Sequence, residues 1–239
     1  MSPEVKQLLG RLNDAAIRSL FSYLNERHDS RITFLQIGGN DGKRGDPVNS
    51  FCKRFSWKGV IAEPVPEYFE KLSREYQDSA GVYCENVAIS SKSGEMTIYF
   101  VPFSEVPSEK PWEQGLASLD REHLLQNGVG QDRIREATVP VLSVSNLLDR
   151  YKAINLSLVV IDVEGHEAEI LNSFPWEDTV PECVVFESKH LSDDEHLKAA
   201  EMLKKFGYSN FRMLNDTVCI QRPPQWLNVH LTEMQRLSK

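Results

Sequence analysis

Apolar positions along this chain follow two rhythms. Between residues 3 and 27 they recur at Val5, Leu8, Leu9, Leu12, Ala16, Leu20 and Leu24, a helical spacing opened by Ser2-Pro3. Beyond it, short apolar runs predict strands at Ile32–Ile37, Val60–Ala62, Val82–Ile89, Glu95–Val101, Thr138–Leu142, Leu158–Ile161 and Glu182–Phe186. Tyr208–Leu214 and Val218–Ile220, split by Asn215-Asp216-Thr217, predict a terminal hairpin. Helical spacing returns from Pro47 to about Phe55, from Pro66 past Leu72, over Asp120–Gln126, over Ser143–Tyr151, and after Gly165 through Ile170, Leu171 and Phe174. One more helix starts at a Ser192/Glu195 capping box and stops at Gly207.

The most informative run is Leu158, Val159, Val160 and Ile161, which ends abruptly at Asp162 and Glu164. A continuous β-branched run reads as a strand buried on both faces, as in a parallel sheet. Open α/β sheets hold ligands at the carboxyl ends of such strands. The order of elements predicts a mostly parallel sheet closed by an antiparallel hairpin. That is the class I methyltransferase, Rossmann-like α/β fold. Residues 1–30 form an N-terminal helical extension, 31–221 the main domain and 222–239 a tail that is partly ordered at best.

The first strand opens into Gly38-Gly39-Asn40-Asp41-Gly42, residues that tolerate positive φ and let backbone N–H groups approach a ligand. Their spacing lacks the third glycine of a dinucleotide fingerprint, and no G-K-[ST] follows as in a P-loop. A nucleoside ligand without a pyrophosphate fits better, and S-adenosylmethionine is the common one. Glu63 ends the second strand about twenty residues past this loop, the usual place of a ribose-binding acid. Glu85 and Asn86 interrupt the third strand, where an adenine-binding edge is expected. Pro102–Leu119, with three prolines and Trp112, is a long loop of the kind that forms lids or touches substrate.

Composition narrows the partners. The 239 residues carry a net charge of -8, which disfavours sequence-independent nucleic-acid binding. No run is long and apolar enough to span a membrane, and the N-terminus lacks the apolar core of a signal peptide. Cys52, Cys84, Cys183 and Cys219 are widely spaced and read as reduced thiols. The expected setting is cytoplasmic, the expected partner a small hydroxylated acceptor, with homo-oligomerisation left open.

QIGGNDG (36–42), VIAEPVPEYFEKL (60–72), ENVAIS (85–90), ASL (117–119) and VVIDVEGHEAEIL (159–171) occur in the order seen in one known family. The chain resembles the FkbM family of S-adenosylmethionine-dependent methyltransferases over about residues 32–220. The resemblance implies methyl transfer to a hydroxyl, often of a sugar or secondary metabolite. It also implies cofactor contacts from Gly38, Asn40, Glu63 and the segment Asn86, Val87 and Ala88. Gly39, Gly42, Gln36 and Asp162 complete the expected cofactor set. Gln36 is a departure, because the family commonly has Asp there to help hold the methionine end.

A hydroxyl acceptor must lose a proton, so a base is expected. Asp162 is the first choice, with Glu164 and His166 after the same strand and Glu187 and His190 after the next as further candidates. Glu164 and Glu167 also suit the start of the following helix. Asp162 with His166 could ligate a divalent cation, but two residues do not make a site, and no metal is assigned. Two other readings stand beside methyl transfer: an NAD-dependent oxidoreductase, and a non-catalytic module retaining the fold.

Overall fold

The computed structural model describes residues 3–110, 113–152, 155–227 and 229, with side chains from residue 8 onward. Ser2, Val5's side chain, Pro111, Trp112 and most of the 222–239 tail lie outside this description.

The predicted first helix is α1, Pro3–Arg27. Leu9, Ala16, Leu20 and Leu24 on one stripe are buried, and the Trp57 indole N–H donates to Asn25 Oδ1 at 2.7 Å. The helix therefore packs into the main core and is not a detached appendage. Its partners are the first strands and helices of the sheet: β1 Thr33–Ile37, α2 Asn49–Phe55, β2 Lys58–Ala62, α3 Pro66–Tyr76 and β3 Val82–Glu85. Later come α5 Val144–Tyr151, β8 Leu158–Ile161, α6 Glu167–Ser173, β9 Cys183–Glu187, α7 Asp193–Lys205, β10 Ser209–Arg212 and β11 Asp216–Ile220. The Ser192/Glu195 capping box forms as predicted.

These strands make one seven-stranded sheet in the order β10-β11-β9-β8-β1-β2-β3. All neighbours from β9 to β3 run parallel, and β11 runs antiparallel between β9 and β10. A reversed strand at that position, with helices on both faces, is the class I methyltransferase architecture. Alternation along the strands explains the layers. Phe34, Val160 and Val185 face the core beneath α1 and α2. Leu35, Ile37, Val159, Ile161, Val184 and Phe186 face α5, α6 and α7. Every residue of β8 is buried, as its unbroken apolar run requires.

The predicted strand Val82–Ile89 is corrected: it is two strands in two sheets. β3 ends at Glu85, and β4, Ala88–Ile89, pairs with a second sheet. The break falls at Asn86, whose side-chain amide donates to the backbone carbonyls of Glu63 and Pro64 at 2.9 Å. Those bonds bend the chain out of the first sheet. The second sheet has the order β4-β7-β5-β6, with β5 Gly94–Phe100, β6 Ala117–Ser118 and β7 Arg135–Leu142. It carries the inserted segment and α4, Arg121–Gln126.

At the C-terminal end, Leu227 is fully buried and Trp226 packs against the core under α1. The 222–239 segment thus begins as part of the domain. Among the described residues, no helix is long and apolar enough to cross a membrane.

Candidate active site

Strand register places the predicted motifs in one row. Ala62, Ile37, Ile161 and Phe186 are successive partners across β2, β1, β8 and β9, and Ala62 also pairs with Glu85 on β3. The next residues along the chain are Asn86, Glu63, Gly38, Asp162 and Glu187. At about 4.8 Å per strand, roughly 14 Å separates Glu63 from Glu187. Because β11 is antiparallel, its first residue, Asp216, lands opposite Glu187. One cavity of about 290 Å³ runs along this row, lined by Glu63, Gly38, Asp162, Glu187 and Asp216, with Ile17 of α1 among the walls.

The Glu63 end is built largely from backbone. Gly38 has φ +90°, and a Cβ there would stand 1.8 Å from the Asp162 carbonyl oxygen, so only glycine fits between the two strand ends. Asn40 also holds positive φ, at 47°. This turns its N–H onto Glu63 Oε2 at 2.7 Å, and the Val65 N–H donates to Glu63 Oε1 at 2.9 Å. Burial raises the Glu63 pKa to about 7 against the opposing pull of these amides. The long loop closes over this end. Gln114 Nε2 donates to Asp41 Oδ2 at 2.8 Å, and the Gly115 N–H donates to the Tyr68 hydroxyl at 3.2 Å. Two acceptors here take no hydrogen bond, Asn40 Oδ1 and Gln36 Oε1, although both are buried and both residues line the cavity. Free acceptors beside a glycine cradle suit a ligand that brings its own donors.

The Asp162 end is built from charged side chains. Asp162 is exposed, and it lines the cavity at the mouth of β8. Desolvation within that cavity, and after it the Glu164 charge, raises its pKa. Glu187, 7% exposed, is raised by burial and then by Asp162. Its Oε1 pairs with Lys189 Nζ at 2.5 Å. Its Oε2 accepts no hydrogen bond, and His190 Nε2 stands 3.5 Å away. Burial alone would raise Glu164 too, but His123, His190 and Lys189 outweigh it and hold that carboxyl well below the usual range. Glu167 is different: it accepts from the Val163 and Gly165 N–H groups and so fixes the loop before α6. Glu167 stands in the first turn of α6 but bonds the loop before it, and Glu164 turns to the cavity.

The expected cofactor residues Gln36, Gly38, Gly39, Asn40, Glu63, Val87, Ala88 and Asp162 all line the cavity. Asn86 and Gly42 do not. Asn86 is spent on the backbone beneath Glu63, and Gly42 packs against Leu72 and Tyr76 behind the loop. His166 lines the cavity, 3.0 Å from Ser90 Oγ, and burial lowers its pKa. His190 stands behind the wall with Glu164 at 3.0 Å. Sequence reasoning missed His123, Asp216, Gln114 and Ile17. Gln114 lies in the proline-rich loop that the sequence marks as a substrate contact, and Asp216 in a hairpin whose turn returns to the carboxyl edge; His123 left no signal.

Comparison with known proteins follows the same line. Residues 36–210 match the model of the Methyltransferase FkbM domain. No curated protein matches the chain. Among solved structures, a Methyltransferase FkbM from Methylobacillus flagellatus KT aligns at 10% identity with a TM-score of 0.49. That alignment covers 80% of this chain and 44% of the other, so this chain spans less than half of that protein. An rRNA methylase from Streptococcus thermophilus aligns at 9% identity and a TM-score of 0.46, covering 84% and 93%. Aeropyrum pernix fibrillarin, solved with natively bound S-adenosyl-L-methionine, aligns at 7% identity and a TM-score of 0.40, covering 80% and 66%.

Proposed function

The chain belongs to the FkbM methyltransferase family, and from that premise we propose that it transfers a methyl group from S-adenosylmethionine to a hydroxyl of a small molecule of the sugar or secondary-metabolite kind. The observation that carries this reading is the single cavity joining Gly38 and Glu63 to Asp162 and Glu187. It is long enough in strand steps to seat a nucleoside at one end and an acceptor at the other.

When bound, the cofactor supplies an electrophilic methyl on a sulfonium. Glu63 then accepts the ribose hydroxyls with the lone pairs its two backbone amides leave free. Gly38 and Gly39 let the chain pass close beneath the ligand. Gln36 Oε1 and Asn40 Oδ1 are free acceptors for the ammonium of the methionine part. Gln36 keeps that hydrogen bond without the charge of the family's usual Asp.

Asp162 is the base. It follows the central strand, lines the cavity and stands between Gly38 and Glu187 in the row. Taking the hydroxyl proton makes the acceptor a stronger nucleophile, and such a positioned base is worth about 10²–10⁴ in rate. Glu187 and Asp216 accept hydrogen bonds from further hydroxyls, which suits a polyol better than an apolar acceptor. Ile17 and the loop carrying Gln114 exclude water from the transfer line.

The test is methyl transfer from tritiated S-adenosylmethionine to a panel of sugars and hydroxylated metabolites. The expected product carries the label on oxygen. Label found only on nitrogen or carbon across matched panels would contradict the O-methyl reading.

A further inference from the structure

We propose that His123, Glu164 and His190 form a binding site for one divalent transition-metal ion in the wall of the cavity. The three residues come from distant places: α4 in the inserted segment, the loop after β8 and the loop after β9. Their ligand atoms nevertheless lie within 4.8 Å of one another. Both imidazoles aim Nε2 at the same atom, Glu164 Oε2, from 3.5 Å (His123) and 3.0 Å (His190). Two ligands about 2.0–2.1 Å from a tetrahedral zinc stand about 3.3 Å apart, so these separations need little adjustment. The rings meet edge to face with centroids 4.4 Å apart, and the side chains are only 12%, 18% and 17% exposed.

Hydrogen bonding alone serves this cluster poorly. Lys189 Nζ also approaches Glu164 Oε2, at 3.4 Å, so one oxygen faces three nitrogens. Asn127 Nδ2 stands 3.2 Å from His123 Nε2. If that nitrogen is bare, it meets the Asn127 donor but turns a lone pair to the carboxylate. If it carries a hydrogen, two N–H groups oppose each other. A cation between the imidazoles and the carboxylate removes the conflict, because Asn127 already donates to the His123 carbonyl at 2.8 Å. Lys189 would remain on Glu187, its nearer partner.

The backbone is set for this geometry. Glu164 is a non-glycine residue at φ 53°, a conformation that L-residues avoid. Ser118 Oγ donates to its carbonyl at 3.0 Å and holds the turn. Strain of this kind marks a side chain that is aimed. Two imidazoles and one carboxylate suit zinc, cobalt, nickel or iron, and they are poor ligands for magnesium or calcium. Three protein ligands leave a coordination position open, and Glu164 lines the cavity where the acceptor is expected.

The test is titration of the chelator-treated full chain with Co²⁺, without S-adenosylmethionine or its product, followed by visible absorption. One equivalent is expected, with d–d bands of an imidazole-containing site and no competition from excess Mg²⁺. His123→Ala and His190→Gln should each weaken binding at least tenfold, while S-adenosylhomocysteine still binds His123→Ala as it does the wild type. No saturable Co²⁺ binding to the wild type overturns the proposal. So does binding that survives both histidine variants, or that is lost only in Glu187→Gln, which would place the ion among the neighbouring carboxylates. If a histidine variant does not fold, the wild-type melting temperature decides. It should rise with saturating Co²⁺, and no rise overturns the site.

Discussion

The two ends of the strand-edge row are made of different material. At the Glu63 end the chain's own backbone does most of the holding: a glycine with no room for a Cβ, an Asn at positive φ, and two N–H groups on one carboxylate. At the Asp162 end, charged side chains from three separate segments converge on one another. Backbone geometry fixes a site that many members of a fold can share. Side-chain clusters can be rebuilt residue by residue to suit a particular acceptor.

Asp162→Asn should break the comparison most severely. We expect kcat to fall by about 10²–10⁴, with S-adenosylhomocysteine affinity nearly unchanged, in steady-state kinetics paired with calorimetry. A parallel loss of cofactor affinity would mean that the two ends are not separate in function. Next is Gly38→Ala. Its Cβ would collide with the Asp162 carbonyl and sit at unfavourable φ, costing about 3 kcal/mol or more. Thermal unfolding should register a drop of roughly 6–12 °C. Gly45→Ala, where nothing lies within 4 Å of the added atom, should keep only the φ penalty.

A pH titration of stability sharpens the same contrast. Folded Glu63 keeps its proton to about pH 7, against an ordinary value of 4.5. Between these values the folded state binds more protons than the unfolded one. Its contribution to stability therefore falls as pH rises from about 4.5 to 7, by at most about 1.4 kcal/mol per pH unit. Asp46, raised to about 6 by burial, adds the same sign over a lower window. Melting temperatures of Glu63→Gln measured over that range should decline less steeply than those of the wild type. The smallest effect belongs to Asn13→Ala. It removes the 2.7 Å bond from Asn13 Nδ2 to Asp216 Oδ2 that ties α1 to the acceptor end. About 1 kcal/mol of stability should go, and the acceptor KM should rise without a matching change in cofactor affinity.

Legibility in the sequence follows the same division. The buried strand Leu158–Ile161, the glycine loop and Glu63 were readable because each is a local pattern with a local cause. The mostly parallel sheet closed by an antiparallel hairpin also followed from the succession of elements, whereas the order of the strands across the sheet did not. The split at Asn86 was not read, although the polar pair Glu85-Asn86 stood inside an apolar run. Its cause is a side-chain amide reaching two carbonyls more than twenty residues away. His123 carried no signal at all. It sits in an inserted helix, and its partners Glu164 and His190 are 41 and 67 residues further along the chain. Glu164 stayed open between a site acid and a helix cap, because a left-handed turn before Gly165 has the same sequence as a capping segment.

The central claim is that the Gly38–Glu63 end binds the methyl donor. Isothermal titration of the full chain with S-adenosylhomocysteine, wild type against Glu63→Ala, tests it most directly. Saturable one-to-one binding is expected for the wild type, weakened about 10–100-fold in the variant by the loss of hydrogen bonds to a charged group. No heat of binding in the wild type, or the same affinity in both proteins, would contradict the account.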